Sequence, residues 1–333
     1  MDPAGHETAL YSFTGDADGA FPESNPVVDA QGSVYGTTLE GGAASGDLGF
    51  GVVYKIEAPG QCTVLHTFTD GADGGYPSAV VLDSDGNLYG AAESGRVDGG
   101  QGQGYGVIYK LSPAGRQTVI YTFTGGADGA GPVDVVLDSA GNIYGSTYGG
   151  GAAGYGVIYK VDPSGQQTVL YSFPGGPDGA FPAGVLARDS EGNLYGTTIE
   201  GGGVSEEAGY GVVFELDSAG NYTVLYRFTG GADGGNPYAG VVRDAAGNLY
   251  GTTVYGGVRA CGLSCGVVFE LSPSGDETVL YSFTGSGDGA NPSYGVLADS
   301  AGDLYGTTTW GGKGGFSSLM FSGGGVVYKI EIQ

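Results

Sequence analysis

The sequence predicts an all-β fold, a six-bladed β-propeller built from four-stranded antiparallel blades and closed by the N-terminal strand. Short apolar runs alternate with tight turns, one unit of strands recurs six times, and the two chain ends are out of phase with that unit. These three observations together favour a closed propeller over an open stack of repeats.

Four strands are predicted in the stretch from Gly240 to Phe283. The runs of 240–244 and 249–253 are separated by the turn sequence AAGN, and those of 266–271 and 277–283 by SPSG. Each run is short and rich in Val, Leu, Tyr, Phe and Thr, which is typical of strands and not of helices. The stretch is therefore two hairpins in series, a four-stranded antiparallel meander.

The same unit recurs along the whole chain. A Tyr-Gly pair lies near one end of each second strand, and the third and fourth strands repeat as GVVYK-like and TVLYSF-like sequences. The pair occurs at Tyr35, Tyr89, Tyr144, Tyr195, Tyr250 and Tyr305. We expect a single domain over residues 1–333, with repeats at approximately 7–61, 62–116, 117–166, 167–221, 222–276 and 277–333.

The chain begins with a fourth-strand sequence, Glu7 to Phe13, and ends after a third-strand sequence, Gly325 to Ile330. An open solenoid needs atypical capping repeats, and neither end of this chain differs from the middle. Pairing of the first strand with the last blade would complete the sixth sheet and leave no open edge.

The charge of the chain limits its partners. It has 11 Lys plus Arg against 36 Asp plus Glu, a net charge of -25. This charge repels phosphate backbones and anionic membrane surfaces, which argues against nucleic acid as a partner. No apolar run approaches the length of a membrane span, so no membrane insertion is expected.

Variation is confined to one end of the predicted blades. The first-to-second and third-to-fourth connections are short and alike, whereas the second-to-third loops differ in every repeat. Binding and catalytic residues usually lie on variable loops of a rigid scaffold, which makes this end the candidate functional face. These loops span residues 40–50, 94–105, 149–155, 200–210, 255–265 and 310–324.

Aromatic and acidic residues of these loops are the candidate ligand-binding residues. Exposed aromatic rings beside carboxylates stack on sugar rings and bind their hydroxyls. Trp310 either serves this purpose or packs beneath its own loop. Further candidates follow the connection prolines and are expected near the mouth of the predicted channel, namely Glu23, Tyr238 and Tyr294. Asn25 and Asp134 lie nearby in the sequence. The complete set of candidates is Trp310, Tyr255, Glu40, Glu200, Glu23, Tyr238 and Tyr294.

Asp-Gly pairs recur in all six blade-to-blade connections. Carboxylates are suitable calcium ligands, but Asp also caps turns, and its presence in every repeat favours that structural role. Only two connections carry a second carboxylate and are candidate metal sites, with Asp16 and Asp18 in one and Asp70 and Asp73 in the other. No other cofactor is predicted. The recurring Asp29, Asp83, Asp138, Asp189, Asp244 and Asp299 are interpreted as turn residues.

Two of the three cysteines, Cys261 and Cys265, lie four residues apart in one Gly-containing loop. In an exported protein, this spacing favours a disulfide that stiffens the loop, and two free thiols are the alternative. Cys62 occupies a strand-end position that Gln117 and Gln167 hold in other repeats, which indicates no chemistry.

Catalysis receives less support from the sequence than binding. The histidines His6 and His66 both lie away from the variable loops, which excludes Ser-His and Cys-His nucleophilic arrangements there. A hydrolase or lyase would have to use Glu or Tyr. Glu40 and Glu200 belong to blades three apart, farther from each other than a glycosidase pair requires.

The sequences GNLYGTT, GG, GVVFEL and TVLYSFTGGADG resemble the Gloeo-Verruco, or GloVer, tandem repeat of bacterial secreted and surface-anchored proteins. The resemblance covers essentially the whole chain and implies a secreted or cell-surface location in bacteria. The double Gly after the second strand is similar to kelch propellers, but the kelch Trp is missing. We therefore expect an extracellular propeller that binds a glycan or another polymer, with a carbohydrate-active hydrolase or lyase and a structural or interaction module as alternatives.

Overall fold

The computed structural model describes residues 8–22, 24–42, 49–95, 104–203, 209–257, 265–285, 287–312 and 324–332. These residues form six antiparallel sheets that follow each other along the chain, each a meander of neighbouring strands. The fold is thus the predicted all-β six-bladed propeller. The chain divides into two compact units, unit one with Met1–Gly145 and Lys160–Thr168, and unit two with Ser146–Tyr159 and Val169–Gln333. The predicted single domain stays a prediction.

Unit one contains the first two sheets and part of the third. The first sheet consists of β1 (Val27–Val28), β2 (Val34–Thr38), β3 (Val52–Glu57) and β4 (Gln61–Thr67). The second consists of β5 (Gly75–Leu82), β6 (Leu88–Ser94), β7 (Val107–Leu111) and β8 (Gln117–Thr122). The third consists of β9 (Ala130–Leu137), β10 (Ile143–Gly149), β11 (Val157–Val161) and β12 (Gln167–Ser172).

Unit two contains the remaining sheets and a single-turn 3-10 helix at Gly176–Asp178. The fourth sheet consists of β13 (Ala180–Arg188), β14 (Leu194–Glu200), β15 (Val212–Leu216) and β16 (Tyr222–Arg227). The fifth consists of β17 (Val242–Arg243), β18 (Leu249–Thr253), β19 (Val267–Leu271) and β20 (Glu277–Ser282). The sixth consists of β21 (Leu297–Ala298), β22 (Leu304–Thr308) and β23 (Val326–Ile330).

The Gly of the Tyr-Gly pair makes room for the core. In the fifth sheet, Gly251 lies opposite Phe269, which is fully buried. A Cβ at Gly251 would lie 2.7 Å from Phe269 Cζ, closer than carbon atoms can approach. The aromatic ring of the third strand therefore packs across the second strand, and the glycine recurs because this packing does.

The Tyr of the pair belongs to a turn motif that caps the first tight turn of each blade. The carboxylate of Asp244 accepts hydrogen bonds from Asn248 N at 2.8 Å, Asn248 Nδ2 at 2.9 Å and Tyr250 Oη at 3.2 Å. Asp29 and Asp189 make the same kind of contacts with a tyrosine six residues later. As predicted, this series of aspartates holds turns and strand ends.

The sixth sheet has three strands among the described residues, one fewer than the predicted blade. Its fourth strand was expected from the N-terminus, since the chain ends after β23. Residues 8–14 form no strand there. Phe13 packs on Tyr54 with ring centroids 4.9 Å apart, much as Phe68 packs on Tyr109 at 5.2 Å. Closure by the N-terminal strand stays a prediction.

Candidate functional site

The second strand of each blade ends at the loop end, the end that carries the second-to-third loops. There it is fixed to the connection from the preceding blade. Tyr255 exchanges two backbone hydrogen bonds with Gly235, at 2.9 and 3.0 Å. Trp310 does so with Ala290 at 2.9 and 3.1 Å, and Glu40 with Ala20 at 2.8 and 3.1 Å. The backbone that carries these three predicted side chains is therefore held in place by hydrogen bonds.

Unit two brings three of the predicted residues together with one that the sequence analysis missed. Tyr255, Glu200 and Tyr148, the second-last residue of β10, all lie near enough to Tyr238 to influence its pKa. Tyr148, Tyr238 and Tyr255 are 50%, 47% and 45% exposed, and Glu200 is exposed as well. We call these four residues the tyrosine cluster.

The members of the tyrosine cluster influence Tyr238 electrostatically. Partial burial raises the pKa of Tyr238, and Tyr255, Tyr148 and Glu200 raise it further because they disfavour a phenolate. A tyrosine hydroxyl is protonated at neutral pH, so the Tyr238 hydroxyl can donate a hydrogen bond. Three hydroxyls and one carboxylate at the edge of exposed rings can bind a polyhydroxylated molecule.

Of the other predicted ligand-binding residues, three belong to the described part of the chain and one does not. Trp310 is 39% exposed. Tyr294 is half-buried, and its carbonyl accepts a hydrogen bond from the Thr252 hydroxyl at 3.1 Å. Glu40 is half-buried in unit one, and Glu23 lies outside the described residues. Their roles stay predictions.

The candidate metal ligands make contacts typical of turns. Asp18 accepts hydrogen bonds from Tyr11 Oη at 2.7 Å and from Thr14, and although burial opposes this, these bonds lower the pKa of Asp18. Asp73 Oδ2 accepts a hydrogen bond from Thr69 N at 3.1 Å. His66 Nε2 lies 3.3 Å from the same oxygen.

The second carboxylates of the two connections do not complete a metal site. Asp16 is exposed, and Asp70 accepts a hydrogen bond from Ser94 Oγ at 2.5 Å. Within the described part of the chain, no three His, Cys, Asp or Glu residues are grouped to hold a metal ion. The calcium site stays a prediction without support from these contacts.

The cysteines are described in part. Cys265 is fully buried and disulfide-bonded, whereas Cys62 is a free thiol. Cys261 lies outside the described residues. The predicted pairing of Cys261 with Cys265 therefore stays a prediction.

Unit one contains two neighbouring carboxyl groups, Asp134, which the sequence predicts near the mouth of the channel, and Glu93, which it does not single out. Asp134 Oδ1 accepts a hydrogen bond from Ala79 N at 3.0 Å, and burial raises the pKa of Asp134 against the effect of that bond. Glu93 remains accessible to solvent, yet the protein atoms around it displace enough water to raise its pKa, and the charge of Asp134 adds to the shift. The sequence does hold a signal, because no other blade has an acidic residue two positions after the connection proline, where Ala79, Ala239 and Tyr294 stand.

Comparison with known proteins identifies the family. The Gloeobacter/Verrucomicrobia repeat matches residues 1–205 and 203–333. The chain belongs to the Gloeobacter/Verrucomicrobia repeat family. None of the curated proteins matches the sequence. Among the described segments, no helix is long and apolar enough to span a lipid bilayer.

Several solved propeller proteins are similar in fold to this family member. An aldose sugar dehydrogenase from Streptomyces coelicolor, in its PQQ-bound form, has a TM-score of 0.56 and 12% identity, with 94% of this chain and 95% of that chain covered. A luciferin-regenerating enzyme has a TM-score of 0.53 and 16% identity, with 94% and 92% covered. A gluconolactonase from Xanthomonas campestris has a TM-score of 0.50 and 15% identity, with 86% and 83% covered. At such identities the similarity extends to the fold alone.

Proposed function

We propose that this protein is a secreted or cell-surface propeller that binds a glycan or a related extracellular polymer at the tyrosine cluster. The observation that carries the proposal is that Tyr148, Tyr255 and Glu200 all lie near enough to Tyr238 to influence its pKa, while each tyrosine stays about half exposed. The repeat does not require these side chains, since the positions of Tyr148 and Tyr255 hold Leu39 and Glu40 in the first blade.

The chemistry of the tyrosine cluster suits a sugar. Tyrosine rings offer flat apolar faces to the C–H groups of a pyranose, and their hydroxyls both donate and accept hydrogen bonds. The Glu200 carboxylate can accept two hydrogen bonds from neighbouring ring hydroxyls. Gluconolactonase and aldose sugar dehydrogenase, two of the proteins with a similar fold, have names that refer to sugars or sugar derivatives.

The test is a binding assay with defined neutral oligosaccharides. Cellohexaose, mannohexaose and xylohexaose are titrated into the protein by isothermal calorimetry, with Trp310 emission as a second readout. We expect at least one to bind, and Tyr238→Ala to weaken that binding by roughly tenfold or more, as for the loss of a central aromatic contact. Tyr238→Phe keeps the ring, so its affinity should fall less than that of Tyr238→Ala.

Tyr105→Ala is the matched control, because Tyr105 is 49% exposed but lies in unit one. Its affinity should equal that of the unsubstituted protein. Thermal unfolding of all variants checks that they are folded. Absence of binding by the three hexaoses and by a wider glycan array would refute the proposal, as would equal losses in Tyr105→Ala and Tyr238→Ala.

A carbohydrate-active hydrolase or lyase is a second candidate, favoured by the carboxyl pair of Glu93 and Asp134. The pKa of Glu93 is raised by loss of hydration and by the charge of Asp134, and a carboxyl group with a raised pKa suits general acid catalysis. Release of reducing ends from the hexaoses tests this candidate. The product should disappear in Glu93→Gln, whereas loss in Glu40→Gln or Glu200→Gln would place the chemistry at the residues predicted from the sequence.

A further inference from the structure

One backbone position is left-handed in every blade, the residue before the connection proline. A left-handed conformation is easy for Gly and tolerable for Asn, but it strains a bulky side chain, and a following proline restricts the residue further. The φ angles are 55° at Phe21, 54° at Tyr76, 64° at Gly131, 59° at Phe181, 53° at Asn236 and 53° at Asn291.

Asparagine suits this position in unit two. Asn236 Nδ2 donates a hydrogen bond to Ile199 O at 2.9 Å, and Asn291 Nδ2 donates one to Val254 O at 3.0 Å. Phenylalanine at 181 has no group that could make the equivalent bond. The sister blades thus show that a residue with less strain and one more hydrogen bond fits the same backbone.

The ring of Phe181 makes aromatic contacts that asparagine could not make. It stacks on Tyr148 with ring centroids 4.9 Å apart and planes inclined by 23°, and it meets the edge of Tyr155 at 5.6 Å. Tyr155 is 38% exposed and Tyr148 is 50% exposed, so solvent reaches this surface. We call Tyr148, Tyr155 and Phe181 the aromatic platform.

Tyr148 belongs both to the aromatic platform and to the tyrosine cluster. Its ring stacks on Phe181, while its hydroxyl is close enough to Tyr238 to influence the pKa of that residue. The polar groups of the cluster and the apolar rings of the platform therefore share Tyr148. Strain retained at a position where relief is available is typical of functional sites.

We propose that the aromatic platform is a second sugar subsite, so that the ligand is a chain of at least two sugar rings and not a free monosaccharide. This inference rests on the proposed function. The tyrosine cluster orients one ring through its hydroxyls, and the platform stacks on the apolar face of the next ring. Phe181 is then a specificity residue that sets the preference for chain length.

The test is the substitution Phe181→Asn, which introduces the residue that Asn236 and Asn291 provide at the same position of other blades. Affinities are measured for the hexaose that binds among cellohexaose, mannohexaose and xylohexaose, and for its monosaccharide. In the unsubstituted protein we expect the hexaose to bind roughly tenfold more tightly or better, as a stacked subsite would give. In Phe181→Asn this ratio should fall to about 1–3, with monosaccharide affinity unchanged.

Thermal unfolding provides a readout that needs no ligand. Phe181→Asn should raise the Tm by roughly 1–3 °C through relief of strain. Phe21→Asn is the matched control, because Phe21 has a φ of 55° and is 56% exposed in unit one. It should raise the Tm without changing the affinity ratio.

The possible outcomes separate the two proposals. If the unsubstituted protein binds a hexaose and Phe181→Asn keeps its length preference, the second subsite is wrong and the proposed function stands. If no oligosaccharide binds the unsubstituted protein, both proposals are overturned.

Discussion

The turn motifs and the tyrosine cluster use the same kinds of side chain in opposite ways. In a turn motif, the partners of the carboxylate lie within six residues of it, as Asn248 and Tyr250 do for Asp244. In the tyrosine cluster, Glu200 and the three tyrosines come from strand ends and connections far apart in the sequence. The first arrangement recurs with the repeat, whereas the second occurs once in the described chain.

The pKa shifts separate the two regions as well. In the turn motif, burial works against ionisation, but hydrogen bonds from Asn248 and Tyr250 prevail and hold the pKa of Asp244 below its ordinary value. In the cluster, burial and three acidic neighbours raise the pKa of Tyr238. The motif thus satisfies its own charge, whereas the neighbours of Tyr238 in the cluster disfavour its ionisation. Shifted pKa values of this kind cluster at functional sites.

Gly240→Ala should produce the largest effect, because it acts on both regions. Gly240 lies between Tyr238 and Asp244, and a Cβ there would lie 1.8 Å from Val185 O. The backbone must move to relieve this overlap, so we expect a loss of about 3 kcal/mol in the free energy of unfolding. Displacement of Tyr238 should weaken binding of the hexaose at the same time. Urea unfolding and calorimetry measure the two effects.

Gly287→Ala is the control for this substitution. No atom lies within 4 Å of a Cβ at Gly287. Sister blades carry alanine at the same position of the connection, at Ala17, Ala72, Ala127 and Ala232. The unfolding free energy of Gly287→Ala should change by about 0.5 kcal/mol or less. A similar loss in both variants would show that the close approach at Gly240 is not the cause.

Asp244→Ala separates the two regions. It removes the acceptor of the bonds from Asn248 and Tyr250, and we expect a loss of about 2 kcal/mol in the free energy of unfolding. Affinity for the hexaose should not change. Tyr238→Ala should show the reverse, weaker binding with an unfolding free energy within about 0.5 kcal/mol of the original. Equal effects of both substitutions on both measurements would mean that the regions are not distinct.

This contrast also explains how much the sequence could predict. The strands, the turn aspartates and the Tyr-Gly pair could be predicted because each depends on local contacts that recur six times. Repetition allows one blade to be checked against another. The conflict at Phe181 could not be predicted from the repeat, because the left-handed backbone becomes visible only in the structure.

The tyrosine cluster could be predicted only in part. Tyr255 and Glu200 are predicted because they occupy a position that varies between blades, and Tyr238 because it follows a connection proline. Tyr148 also occupies a position that varies between blades, but a tyrosine near a strand end in a tyrosine-rich chain gives no signal by itself. Its role depends on which strand ends lie side by side, and that information is in the packing of the sheets.

Glu277 is a departure from the repeat within the scaffold, at the start of β20. At the same position in other blades, a donor bonds to the carbonyl of a connection aspartate. Gln117 Nε2 bonds to Asp73 O at 2.8 Å, and Tyr222 Oη bonds to Asp178 O at 2.6 Å. Glu277 can donate only when protonated, and its Oε1 has no hydrogen-bond partner among the described residues.

Glu277→Gln should therefore stabilise the protein, with the smallest effect of the series and one that depends on pH. Burial and the charge of Asp233 raise the pKa of Glu277 to about 7 from 4.5. The protonated form favours folding, so its contribution is complete below about pH 4.5 and is lost as pH rises through about 7.

We expect a gain of about 1 kcal/mol in the free energy of unfolding for Glu277→Gln at pH 8, and almost none at pH 4. Urea unfolding at the two pH values measures the difference. Binding of the hexaose should be unchanged at both. A gain of the same size at pH 4 and pH 8 would mean that the glutamine acts through packing and not by replacing a proton that Glu277 loses.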